Sequence, residues 1–539
     1  MPHPTSTATA SENAGTTAGT RADVVLGVDL GTTSTKVVAF DTRGRQLATA
    51  SRGIDLDEPH AGHAVQDPDA IVDAVRTCVR DVVTQLGADR VAALSFSSAM
   101  HSLLGLSPTL DPLTPSVTWG DTRAAAQAER LRAATGGLAL HQRTGTPLHP
   151  MSPLPKLVWF HEQEPKLCEG VGFWVGIKDY VLWRLCGALV VDHSTASATG
   201  LLSMADLAWD GEALALAGIT AEQLPELVPT THVLPLGEDV ATATGLPAGT
   251  RVVVGAADGP LANLGVGAVR PGVAACSLGT SGALRVVVDR PAVDPLGGVF
   301  CYALTPTRWV VGGAINNGGV VLGWAQDTLA PDTGDEAELL EIAARAPVGS
   351  GGLLMLPYLL SERAPHWSAL PRGAYVGLTR AHRREHLLRA AVEGVCLQLA
   401  TVLRAMRAAG LDISEVRATG GVMRSELWQQ VLADAFDMDV RLAQGQEGSG
   451  FGAALLGMEA VGLVPSIDVV EDMVEITRTV HPRPAAAEVY RSLLPVFSEL
   501  YDALVPTYRA LRRLAPSLPL DAAAPGTAPA ARPAASAQP

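Results

Sequence analysis

Apolar positions along the chain switch between two periods. They run continuously from Val24 to Val28 and from Val37 to Phe40, and mix with polar residues from Gln46 to Ala50, with a Thr42-Arg43-Gly44 turn before that last run. Short runs bounded by turn residues predict strands, here joined as a β-meander. A helical period follows. Ile71, Val72, Val75, Val79, Val82, Val83 and Leu86 fall at helical spacing, Asp67 stands at the N-cap, Pro68 in the first turn and Gly87 at the stop. Val91 to Phe96 then predicts a buried strand that delivers Ser97-Ser98-Ala99-Met100-His101 at its end, so strands and helices succeed one another in the α/β manner. Farther on, Val416 to Thr419 predicts a strand leading into Gly420-Gly421, and Ser425 to Phe436 a helix that puts Trp428 in the core. Ala485 to Leu514 is the last helical stretch.

Composition narrows the partners. The net charge of −15 and an aromatic share of 4% disfavour basic grooves and base-stacking platforms, so nucleic acid is not expected. No apolar stretch runs uninterrupted to about 18 residues, which predicts no membrane span, and the start lacks a basic segment and an apolar core of signal type, so the cytoplasm is expected. Six scattered cysteines without a Cys-x-x-Cys pair are read as small core residues in a reducing compartment. Residues 1–22 and 515–539 are low-complexity ends expected to be disordered, leaving two domains, 23–256 and 257–514.

The chain also repeats itself. Leu30-Gly31-Thr32-Thr33-Ser34 precedes Lys36-Val37-Val38, and Leu278-Gly279-Thr280-Ser281-Gly282 precedes Arg285-Val286-Val287-Val288. Each copy sets a Gly/Thr/Ser turn between two strand-like runs. One such turn alone is equally an ordinary hairpin; two in corresponding places suggest paired nests for one polyphosphate held between two domains. Neither has the spacing of a P-loop or of a dinucleotide fingerprint.

Asp29-Leu30-Gly31-Thr32-Thr33-Ser34-Thr35-Lys36 resembles the first phosphate hairpin of the FGGY carbohydrate kinases, in the actin, hexokinase and Hsp70 superfamily. Met151-Ser152-Pro153 with Lys156 to Gln163 resembles that family's first signature, and Gly373 to Leu378 with His386-Leu387 and Ala390 to Glu393 its second. Within the family the likeness is greatest to the branch acting on gluconate, through Ala99 to Leu103, Thr118 to Arg123, Arg143 to Pro153 and Val311 to Gly319. The resemblance implies an α/β fold of two ribonuclease-H-like domains flanking an ATP and sugar cleft, and ATP-dependent phosphorylation of D-gluconate with Mg²⁺. Another sugar or polyol such as xylulose is the near alternative, and an Hsp70-like nucleotide switch the distant one. The partners implied are a small sugar acid and ATP; a homodimer is compatible with the reading.

The same resemblance assigns residues. Asp258 is the expected catalytic base, at a strand end before Pro260, where an aspartate is otherwise a helix cap. Asp29 is expected to hold the metal. Thr32, Thr33 and Ser34 from one hairpin and Gly279, Thr280 and Ser281 from the other are expected on phosphate, with Gly420, Gly421 and Ser425 at the nucleoside. Met100, His101, Trp119, Asp121 and Arg123 are expected around the sugar acid, Arg123 being able to fork its carboxylate. Asp121 and Arg123 are also spaced to pair with each other. Gly259 departs from the amide residue common after this aspartate in relatives that act on glycerol or xylulose.

Overall fold

The computed structural model describes residues 22–444 and 448–514, so the expectations about the two low-complexity ends fall almost wholly outside the described residues. Its first sheet has six strands: β1 (Val24–Leu30), β2 (Ser34–Asp41), β3 (Gln46–Gly53), β4 (Val91–Ser98), β5 (Val233–Pro235) and β6 (Arg251–Ala257), in spatial order β5-β6-β4-β1-β2-β3. β1, β2 and β3 form the predicted antiparallel meander, while β4 and β6 run parallel to β1 on its other side.

The second sheet has β7 (Val273–Leu278), β8 (Gly282–Val288), β9 (Phe300–Thr305), β10 (Arg308–Ile315), β11 (Glu415–Thr419), β12 (Val440–Gln444) and β13 (Glu475–Val480), ordered β9-β10-β8-β7-β11-β12-β13. The plan repeats: an antiparallel group on one side of β7, parallel β11 and β12 on the other, and an antiparallel edge strand. The two copies differ in that β8 pairs with β10, which puts the intervening β9 at the sheet edge.

Parallel neighbours need crossovers, and helices supply them. α1 (Pro68–Leu86) links β3 to β4; Asp67 caps it through the Asp69 N–H at 2.9 Å, Pro68 opens it and Gly87, at φ 89°, ends it. The long connection from β4 to β6 includes α2 (Pro153–Gln163), α3 (Ile177–Cys186) and α4 (His193–Ser197). After β6 comes the short α5 (Asp258–Leu264). In the second half α6 (Arg384–Ala408) and α7 (Glu426–Phe436) precede β11 and β12, α8 (Gly448–Ala460) follows, and α9 (Pro484–Leu514) ends the described chain. α6 is long and apolar enough to cross a membrane, but most of it is buried as the central helix of the second half. Trp428 is fully buried, as its register on α7 predicts.

α8 ties the halves together. It leaves the second sheet and packs on β1, β4 and α5. The contact is backbone to backbone: a Cβ added to Gly27 would lie 2.1 Å from the Gly450 carbonyl oxygen, and one on Gly452 2.3 Å from that of Leu261. The Gly448-Ser449-Gly450 stretch therefore opens a helix whose small residues allow close packing against the first sheet.

Candidate active site

β6 is buried along Val252 to Ala257 and hands the chain directly to α5, whose first residue is Asp258; Ala257 holds the cap position. Asp258 is half-buried, and its Oδ1 accepts the Gly259 N–H at 2.7 Å. Burial, with the charge of neighbouring Asp29, pushes its carboxyl up to about 6, opposed by Arg285 and Arg363. Asp29, Arg285 and Arg363 are thus near enough to Asp258 for their charges to act on it. Gly259 is glycine for a spatial reason: an added Cβ would lie 2.7 Å from Met100 Cε and 3.6 Å from Arg285 Nε, so those two side chains fill the room a larger residue would need.

His101 and Trp119 belong to the segments after β4. His101 adopts a left-handed backbone, φ 70°, costly for a residue with a side chain. Its Nδ1 lies 2.6 Å from the Ala198 carbonyl oxygen; a carbonyl only accepts, so Nδ1 carries the proton and Nε2 is left as an acceptor. Burial lowers the ring to about 3, which keeps it neutral. Trp119 Nε1 donates to Thr32 Oγ1 at 2.8 Å, joining the sugar side to the first hairpin. Below them Lys156 of α2, fully buried, donates to the carbonyl oxygens of His101, Thr118 and Met151 at 2.9, 2.7 and 2.8 Å.

Asp121 and Arg123 stand apart from this group. Arg123 Nε and Nη2 donate to the two carboxylate oxygens of Asp121 at 2.8 and 2.7 Å, and Asp121 also accepts the N–H groups of Ala64 and Arg123. Asp121 is fully buried, and the Arg123 guanidinium stacks on Trp159 at 5.0 Å. The pair satisfies itself, which is the other arrangement their spacing allowed, and leaves no fork for a ligand carboxylate.

The two hairpins are built alike. In the first, Leu30 pairs with Thr35 and the Gly31 N–H is bonded to the Ser34 carbonyl at 3.0 Å. In the second, Leu278 pairs with Gly282, and the Gly318, Gly319 and Val320 N–H groups hold the carbonyls of Thr280 and Gly279 from below. Thr33, Thr280 and Ser281 are exposed at the tips. Gly420, at φ 112°, lies against the end of β7, where an added Cβ would meet the Leu278 carbonyl at 2.2 Å. Gly421 and Ser425 border an open cavity of about 770 Å³ together with Arg424, Glu336 and Glu341.

Models of the N-terminal and C-terminal domains of the FGGY family of carbohydrate kinases match residues 24–265 and 274–461. The chain belongs to that family. It is 41% identical to the gluconokinase of Bacillus licheniformis over 90% of this chain and 96% of that one, and 40% identical, with the same coverage, to the gluconokinase of Bacillus subtilis. Identity to the Bacillus subtilis xylulose kinase is 30%, over 88% of this chain and 96% of that one. Two solved Lactobacillus acidophilus structures, described as a gluconate kinase and a ligand-bound xylulose kinase, each superpose with a TM-score of 0.87 at 35% identity, over 90% of this chain and 99% of theirs.

In this carbohydrate kinase, sequence reading missed three of the second half's groups that act on Asp258. Arg285 of β8, Tyr302 of β9 and Arg363, in the stretch between β10 and α6, all interact with Asp258. Arg285 sits one turn of strand beyond the second hairpin, inside the repeated segment itself, and that placement was the available signal. Nothing local to Tyr302 marks it.

Proposed function

We propose that this kinase transfers the γ-phosphoryl group of ATP to the 6-hydroxyl of D-gluconate, giving ADP and 6-phospho-D-gluconate. The choice of gluconate rests on one observation, the higher identity to the two gluconokinases than to the xylulose kinase across the same stretch of chain. Asp258 accepts the proton of the attacking hydroxyl as the new P–O bond forms and the bond to the ADP oxygen breaks; a carboxyl near 6 is ionised at neutral pH and still basic enough for the task. His101 Nε2 accepts from a sugar hydroxyl, with Met100 and Trp119 as walls. Thr32, Thr33, Ser34, Gly279, Thr280 and Ser281 hold phosphate, and Gly420, Gly421 and Ser425 the nucleoside. Asp29, whose charge already burdens Asp258, fits a Mg²⁺ site: it would hold the ion beside the phosphates, where the ion supplies charge neutralisation. A cytoplasmic setting goes with this reading.

The second reading is a ketopentose kinase, favoured by the equal superposition on the structure described as a xylulose kinase. An ADP-release assay over gluconate, xylulose, ribulose and glycerol separates the two. The highest kcat/KM is expected with gluconate; a clear preference for an uncharged ketose overturns the assignment.

A further inference from the structure

Around the Asp258 carboxylate several buried donors lack a partner. Arg285 Nε is one, beside the Asp258–Gly259 peptide. Three others are more informative. Arg363 Nε is buried without a hydrogen-bond acceptor, while Nη2 of the same group donates to the Ile315 carbonyl at 3.1 Å and fixes the guanidinium 5.3 Å above the Trp119 ring. The adjacent Glu362 does not pair with it: its oxygens take the N–H groups of Asn316 and Arg363 and the Asn317 side-chain amide. His149 is 4% exposed; its Nδ1 accepts the Met151 N–H, so Nε2 bears the proton, and it too has no partner. The Tyr302 hydroxyl, 1% exposed and beside His101, is in the same condition.

Unmatched buried donors are costly, and a native site that keeps several near one another is suited to an acceptor. A carboxylate is acceptor-only and takes several donors at once. We infer that Arg363, supported by His149 and Tyr302, binds the carboxylate of the sugar acid while the 6-hydroxyl lies at Asp258. This rests on the reading of the chain as a sugar-acid kinase and adds to it the residue that reads the acid. Arg285, whose Nε stands beside the Asp258–Gly259 peptide, is left to the reacting end.

The test compares D-gluconate with gluconamide, its neutral isostere, in the wild type, Arg363→Gln and Arg285→Gln. The wild type is expected to prefer gluconate by about 30-fold or more in kcat/KM, as befits a hydrogen bond to a charged group. In Arg363→Gln that preference is expected to fall below about 3-fold, and in Arg285→Gln to persist while both rates drop together. A general folding defect, or a phosphate-binding role for Arg363, lowers both acceptors equally, keeps the preference and overturns the inference; so does loss of preference in Arg285→Gln alone. Should Arg363→Gln not fold, Arg363→Lys serves, with the preference reduced about tenfold expected and full retention overturning. A wild type that does not phosphorylate gluconate at all refutes the substrate reading itself, a result distinct from any of these.

Discussion

Asp258 draws its chemistry from its surroundings. A carboxylate at a helix start is normally stabilised by backbone N–H groups, yet here burial and Asp29 raise it while Arg285 and Arg363 pull the other way. Asp258→Asn keeps size and polarity and removes the proposed base, so kcat is expected to fall by about 10² or more with the KM for ATP within about twofold, as read by steady-state ADP release. The positions of Asp258, Met100 and His101 just past the ends of buried strands, where α/β folds collect chemistry, were legible in the sequence. Arg285 and Tyr302 were not: an arginine or tyrosine within a strand reads by its period as an outward or core position, and only the facing sheet turns it toward the site. Asp121 and Arg123 show the converse, since residues two apart carry no sign of whether they serve a ligand or each other.

At the level of elements, the stretches most easily recognised in the sequence hold structure rather than reacting atoms. Lys156 of α2 pins three loops by their carbonyls, and in the second signature Glu393 of α6 takes Arg389, Tyr490 and the Gly349 N–H into a buried knot. Lys156→Met is expected to destabilise the fold by about 3 kcal/mol, because three buried carbonyls lose their donor, with a lower Tm and a higher KM for the sugar. α3 offers a pH test. Asp179 is buried, accepts the Gly176 N–H at 2.7 Å and is pushed up to about 7, chiefly by burial. A raised acid binds its proton more tightly folded than unfolded, so its contribution is full below the ordinary value of 3.8, declines as pH rises above it and is gone by about 7. Asp179→Asn retains the acceptor without the charge; thermal melts are expected to show it more stable than wild type at pH 8, with the gap narrowing steadily as pH falls from about 7 towards the ordinary aspartate value of 3.8.

The whole molecule is two versions of one plan, and that duplication was visible from the paired Gly/Thr/Ser turns alone. Their sheets were less visible, because the order β10-β8 is set by long-range pairing that local pattern does not encode. The junction depends on Gly27. Gly27→Ala drives a methyl into the Gly450 carbonyl, neither of which can yield as a side chain would, and about 1–3 kcal/mol of stability is expected to be lost, measurable by denaturant unfolding. Because α8 is made late in the chain and roofs β1 and β4, the earlier half is not a self-sufficient unit. Ribosomes must finish nearly the entire polypeptide before the strand bearing Asp29 receives its cover, so a gene cut between the halves is expected to yield soluble, active material only when both fragments are produced in the same cell.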